Sequence, residues 1–239
     1  MSALVLEDVI AGYRGRPVLH GVSLRVPARG SLTVVGPNGS GKSTLMKSVV
    51  GLILPEKGRV LLDGEDITRL DAPARARRGL GHVPQEANVF RSLTVLENLR
   101  LAFEFIPSRT GAGFSRRLEA VLSLFPEIEP KLKVAAGLLS GGQRQMVAMG
   151  AALMPEPSVL ALDEPSAGLS PRNAELLFGA ISRITTAGVT LLMIEQNTSL
   201  GLSIADEGLV LVAGQVKACA PAAELLADGR MQQLYLGTR

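Results

Sequence analysis

Apolar and polar positions follow two rhythms along the chain. Short apolar or alternating runs, bounded by glycine, proline and acidic residues, predict strands over residues 4–10, 21–26, 31–35, 59–62, 79–83, 159–163, 190–194 and 208–212. The runs at 159–162 and 190–194 are apolar without alternation, as in parallel strands covered on both faces. Apolar residues three and four apart predict helices over 96–105, 116–125 and 142–154. A further helix follows a glycine-rich loop over 42–50, and another begins at Pro171, with Ser170 placed to cap it. Residues 221–235 read as two short helices. The expected fold is therefore α/β, with a mostly parallel sheet in the core. An N-terminal antiparallel β part precedes it, and a helical subdomain over 86–157 interrupts it. The core would comprise 1–85 and 158–220, with a helical tail over 221–239, all within a single domain.

Composition narrows this picture only a little. The 239 residues are 46% hydrophobic and 20% charged, which is globular rather than disordered. With 3% aromatics and no Trp, the core must rest on aliphatic residues and Met. A mean hydropathy of +0.27 hints at a surface that meets another subunit. No apolar run reaches the ~20 residues of a membrane-spanning helix, and Glu7 and Asp8 break the apolar start that a signal peptide would need. The single Cys219 excludes an intrachain disulfide and fits a reducing compartment. A net charge of +3 without a basic, aromatic-laced stripe gives no support for nucleic-acid binding. Arg75, Arg77 and Arg78 read as a solvated face, and His20 and His82 as structural residues.

The chemistry starts at Gly36-Pro37-Asn38-Gly39-Ser40-Gly41-Lys42-Ser43-Thr44, a complete phosphate-binding loop between a strand and a helix. Its glycines let backbone N–H groups curl around phosphate, and the helix that follows presents its positive end. Lys42 is placed to reach the β- and γ-phosphates, and the Ser43 hydroxyl to ligate Mg²⁺. Downstream, an apolar strand ends in Asp163 and Glu164. With a phosphate loop present, Asp163 suits the Mg²⁺ shell and Glu164 suits the attacking water.

Leu139-Ser140-Gly141-Gly142-Gln143 reads alone as a capped helix start. Taken in order, phosphate loop, Gln85, this LSGGQ sequence and the Asp163-Glu164 strand resemble the ATPase subunits of ABC transporters, from Tyr13 to about Asn197. The resemblance implies that Tyr13 stacks on adenine and that Gln85 contacts Mg²⁺ and water. It implies that Ser140, Gly141, Gly142 and Gln143 bind the γ-phosphate of ATP held by a second ATPase subunit. That subunit is expected to be a different chain, with a homodimer as the alternative. Two transmembrane permease subunits complete the assembly, so the chain would sit peripherally on the cytoplasmic face of the membrane, with docking near residues 85–98.

Two positions depart from the family pattern. Gln196 stands where the family has a histidine at the γ-phosphate, and Ser170 where it usually has aspartate. Gln196 can donate a hydrogen bond but carries no proton or charge. Glu195-Gln196-Asn197, Met146 and the Tyr235-Leu236-Gly237 ending are similar to one ATPase of the branched-chain amino-acid importers. Importers of urea or short amides share these features and form the alternative. A soluble ABC ATPase is disfavoured because a second cassette and a long coiled coil are both missing, and a non-hydrolysing sensor because Lys42, Asp163 and Glu164 are all present.

Overall fold

The computed structural model describes residues 2–86, 88–106 and 108–227. The chain opens with a long hairpin, β1 (Ser2–Tyr13) and β2 (Arg16–Pro27), then β3 (Ser31–Val35) and α1 (Lys42–Val50). β4 (Lys57–Leu62), β5 (Glu65–Asp66), α2 (Ala72–Arg77) and β6 (Leu80–Val83) follow. The stretch up to the next strand is helical: α3 (Val95–Phe105), α4 (Phe114–Leu124) and α5 (Gly141–Leu153), with two short 3₁₀ turns. Then come β7 (Val159–Asp163), α6 (Pro171–Thr186), β8 (Thr190–Ile194), α7 (Thr198–Ser203), β9 (Glu207–Val212), β10 (Gln215–Pro221) and α8 (Ala222–Ala227).

Two sheets result. The first is antiparallel, in the order β2-β1-β4-β5. The second runs β10-β9-β3-β8-β7-β6, parallel except at its β10 edge. Every residue of β3 and β8 and the first four of β7 are buried, which is why the runs at 159–162 and 190–194 show no alternation. Helix α1 lies between the sheets, and its Leu45, Met46 and Val49 share one core with Leu4, Leu6, Leu24, Leu32 and Leu192. A second core joins α3, α4, α5 and α6 to the other face of the parallel sheet through Leu99, Phe125, Met146, Val147, Met149, Leu177 and Ile181. Each such fully buried aliphatic side chain contributes about 1.5–3 kcal/mol.

The strand and helix boundaries at β3, α1, β7 and β8 coincide with those expected, and α3 to α6 begin within two residues of expectation. The short elements α2, β5, α7 and β10 are additional. The first of the two expected tail helices is α8; the second lies outside the described residues. Ser170 occupies the N-cap of α6, but its hydroxyl makes no capping bond.

One reading is corrected. Arg75 does not belong to a solvated face: it is fully buried, whereas Arg77 and Arg78 are exposed. Its guanidinium donates to the carbonyls of Ser48 and Val49 at 2.6 Å, and to those of Thr68 and Leu70 at 2.9 Å. A six-residue helix turns residues two apart in sequence to opposite sides, so one arginine of the cluster points inward.

Candidate functional site

The phosphate loop leaves β3 and enters α1 through Gly41, which holds φ +104° at the N-cap. A Cβ there would press on Leu19, and one at Gly36 would lie 2.1 Å from the Leu211 carbonyl oxygen. Unlike α2, α3 and α5, α1 has no side-chain cap, and no acid stands in its first turn. Its free amides and positive dipole end therefore face the loop without compensation. The buried Ser40 hydroxyl also has no partner, and the Lys42 ammonium folds back onto the Gly36 and Pro37 carbonyls at 2.8 and 3.1 Å. Burial lowers the Lys42 pKa, opposed by the charges of Glu164 and Asp163. An uncapped helix end, an orphaned hydroxyl and a lysine in a glycine cradle together fit a polyphosphate anion.

The acids stand at the C-terminal end of β7. Burial, and secondarily the charge of Glu164, pushes the Asp163 carboxyl up to about 6, while Lys47 and Lys42 pull it down. A half-buried carboxylate beside a second acid is one whose charge a bound cation would stabilise. The hard-oxygen set of Ser43 hydroxyl, Asp163 carboxylate and Gln85 carbonyl suits Mg²⁺. Glu164 takes φ +44°, and its N–H donates to the Ile194 carbonyl at 2.9 Å. Its carboxylate accepts from Gln85 Nε2 at 3.2 Å, so two residues 79 apart in sequence meet.

Tyr13 is exposed at the end of β1, where Lys47 Nζ approaches its hydroxyl at 3.4 Å and its ring centroid at 5.7 Å. Gln196 is exposed at the end of β8. Ser140 and Gln143 form a reciprocal capping box at the start of α5: the Ser140 hydroxyl accepts from Gln143 N, and Gln143 Oε1 accepts from Ser140 N, both at 3.2 Å. Among the described residues this motif makes no hydrogen bond to the phosphate loop. It borders instead a cleft of about 640 Å³ with Gln85, Asn88, Arg144, Gly168 and Leu169.

Sequence reasoning passed over three residues here. Asn88 donates to Gln145 Oε1 at 2.7 Å and to the Pro84 carbonyl at 3.2 Å, pinning the loop that carries Gln85 to α5. Lys47 sits one helical turn beyond Ser43, toward Tyr13. Glu195 is 1% exposed and bonded to both acid-bearing loops. Its signal was an acid closing an apolar strand, the same pattern that revealed Asp163.

A second concavity of about 400 Å³ lies between the two cores, lined by Leu52, Pro73, His82, Phe105, Ala148 and Ala151 among others. Phe105 at its rim is 77% exposed and Phe90 nearby 61%. Burial pushes the His82 imidazole down to about 4 from 6.5, and its Nε2 has no partner. The folded chain thus resists a proton that the unfolded chain accepts below pH 6.5. Stability from this source is full above that value and is lost as pH falls through 4, by about 3 kcal/mol. In urea titrations at pH 7 and pH 4, His82→Leu is expected to lose less stability on acidification than the parent, by about that amount.

These features define a phosphate-loop nucleoside triphosphatase. A two-layered core with a helical insertion, ending in an S-G-G-Q helix start, narrows it further, and comparison with known proteins supplies the family. The ABC transporter family profile matches residues 19–167. The chain is 41% identical over 95% of both lengths to a probable branched-chain amino acid transport ATP-binding protein LivF of Archaeoglobus fulgidus. It is 35% identical to the high-affinity branched-chain amino acid transport protein BraG of Pseudomonas aeruginosa, over 96% of this chain and 98% of that one. It is 34% identical to the lipopolysaccharide export ATP-binding protein LptB of Haemophilus influenzae, over 99% and 98%. A nucleotide-free ATP-binding cassette of an ABC transporter superposes with a TM-score of 0.86 at 29% identity, over the whole of both chains. The chain belongs to the ABC transporter ATP-binding cassettes, which bind ATP and hydrolyse it to drive transport.

Proposed function

We propose that this cassette powers an importer of branched-chain amino acids from the cytoplasmic face of the membrane. The observation that carries the catalytic reading is the uncapped α1 end with Lys42, set against the Asp163–Glu164 pair with Gln85 bonded to Glu164. Lys42 neutralises the β- and γ-phosphates, and the first-turn amides hold them. Mg²⁺ held by Ser43, Asp163 and Gln85 would supply charge neutralisation at the γ-phosphate. Glu164 orients and polarises the attacking water, Gln196 donates to the γ-phosphate, and Tyr13 stacks on adenine.

Among the described residues Ser140, Gly141 and Gly142 make no hydrogen bond to the chain's own phosphate loop, which supports a composite site closed by the signature motif of a second cassette. The apolar groove beside Phe90 and Phe105 supports docking of a permease helix. Among the described residues no helix is long and apolar enough to cross a membrane, so the path for solute belongs to other chains.

For the solute, the names of the relatives at 41% and 35% identity support branched-chain amino acids. The relative at 34% is named for lipopolysaccharide export, which makes export of a lipid-linked glycan the second reading. The test is uptake of labelled leucine, isoleucine and valine in source cells carrying Lys42→Ala. Loss of these three with other amino acids unaffected is expected. Unchanged uptake with a defective cell envelope would favour the second reading.

A further inference from the structure

The geometry points to Glu195 as a positioning residue for hydrolysis, its buried carboxylate clamping the loop after Glu164 to the loop that carries Gln196.

Its Oε1 accepts from Ser166 N at 2.9 Å. Its Oε2 accepts from the Ser166 hydroxyl at 3.0 Å and from the N–H groups of Gln196 and Asn197 at 3.1 and 3.3 Å. No lysine or arginine pairs with it among the described residues, so its charge is met by hydrogen-bond donors alone. Burying a carboxylate this way is costly, and an apolar residue of similar volume would serve stability better. The carboxylate is informative because of where its donors come from. Ser166 lies two residues beyond Glu164, and Gln196 adjoins Glu195 itself.

Glu164 supplies the reason for a clamp. Its φ of +44° is left-handed, a conformation that is costly for a non-glycine residue and persists only where the surroundings over-determine it. Two stitches hold this turn against the neighbouring strand. One is the Glu164 N–H to the Ile194 carbonyl, and the other is Ser166 on Glu195. Releasing the second lets the turn relax and carries the Glu164 carboxylate away from its place beside Gln85. Gly201 packs against the base of the Glu195 side chain, where an added Cβ would come within 2.9 Å of the Glu195 Cβ.

This inference rests on Glu164 acting beside the attacking water. The test is ATP turnover by Ser166→Ala, Ser166→Thr and Glu195→Gln in the full chain, with Glu164→Gln alongside. Ser166→Ala is expected to lower kcat about 10-fold with KM for ATP nearly unchanged, inside the ~10²-fold that a misplacement of about 1 Å can cost. Ser166→Thr keeps the hydroxyl and restores turnover. Glu195→Gln, which loses an acceptor, falls at least as far, and adding Ser166→Ala to it costs little more because both break one contact. A merely structural role predicts instead a kcat loss that follows the unfolded fraction by circular dichroism, with no rescue by threonine. That result, or Ser166→Ala turning over like the parent, overturns the clamp even if Glu195→Gln fails to fold. If Glu164→Gln itself retains turnover, the reading of Glu164 fails rather than the clamp.

Discussion

Replacing Glu164 with Gln is expected to lower steady-state ATP turnover by about 10³-fold while leaving ATP binding intact, within the ~10²–10⁴-fold range for a positioned proton acceptor. The amide matches the carboxylate in shape, and its carbonyl oxygen keeps an acceptor for Gln85 Nε2. What disappears is the charge that polarises the water. Lys42 and the α1 amides are untouched, so nucleotide affinity should hold or rise slightly, because a negative charge near the triphosphate has gone. If the signature motif completes the site from a second cassette, unhydrolysed ATP then holds two cassettes together. Light scattering with Mg·ATP should show a species of twice the 25.1 kDa chain that reverts without nucleotide. A monomer that still binds ATP would keep the site and point to a different cassette as obligate partner. Turnover near that of the parent would remove Glu164 from the chemistry.

The parts of the fold legible in the sequence are those with physical punctuation at both ends. β3 runs into the glycine loop, β7 into Asp163-Glu164 and β8 into Glu195-Gln196, and each is mostly apolar and almost wholly buried. The antiparallel hairpins were harder. The β1–β2, β4–β5 and β9–β10 hairpins turn at Arg14-Gly15, Asp63-Gly64 and Ala213-Gly214, all with positive φ at both positions. That is the two-residue turn whose twist matches paired strands. Arg and Ala are unusual first residues for it, so only the Asp63-Gly64 turn carried an ordinary signal.

The candidate site divides in the same way. The phosphate loop from Gly36 to Thr44, whose chemistry demands a fixed spacing, stands out in any sequence, whereas Ser140 to Gln143 gains its reading only from its order with the other motifs. Contacts between residues distant in sequence do not stand out, even where the residues themselves are legible. The Gln85–Glu164 and Asn88–Gln145 bonds span 79 and 57 residues, and Glu195 meets Ser166 across 29. The Ser140–Gln143 pair forms the capped helix start that its sequence suggests, with hydroxyl and side-chain amide closing a reciprocal capping box.

Arg75 carries the largest expected effect on stability. Its guanidinium is enclosed by four backbone carbonyls, two from the C-terminal turn of α1 and two from the loop leading into α2. The negative end of the α1 dipole accommodates the cation, which explains how it remains buried without an acid in contact. Burial draws its pKa down to about 10, opposed by the charge of Asp66, so it stays protonated at neutral pH. Arg75→Met removes the charge and leaves those carbonyls without donors, each costing ~1–3 kcal/mol when unsatisfied. The relief of burying a charge offsets part of that sum, so the net loss should be about 3–5 kcal/mol. For a chain of this length that corresponds to a Tm lower by about 10 °C in calorimetry. Arg75→Lys should fall between, because one ammonium reaches the α1 carbonyls but cannot span both sets. ATP affinity measured well below the transition should stay near the parent value, since Lys42 and Ser43 lie at the other end of α1. A methionine variant that melts within about 2 °C of the parent would mean that the carbonyls find other donors, and that α1 and α2 are joined by their apolar contacts alone.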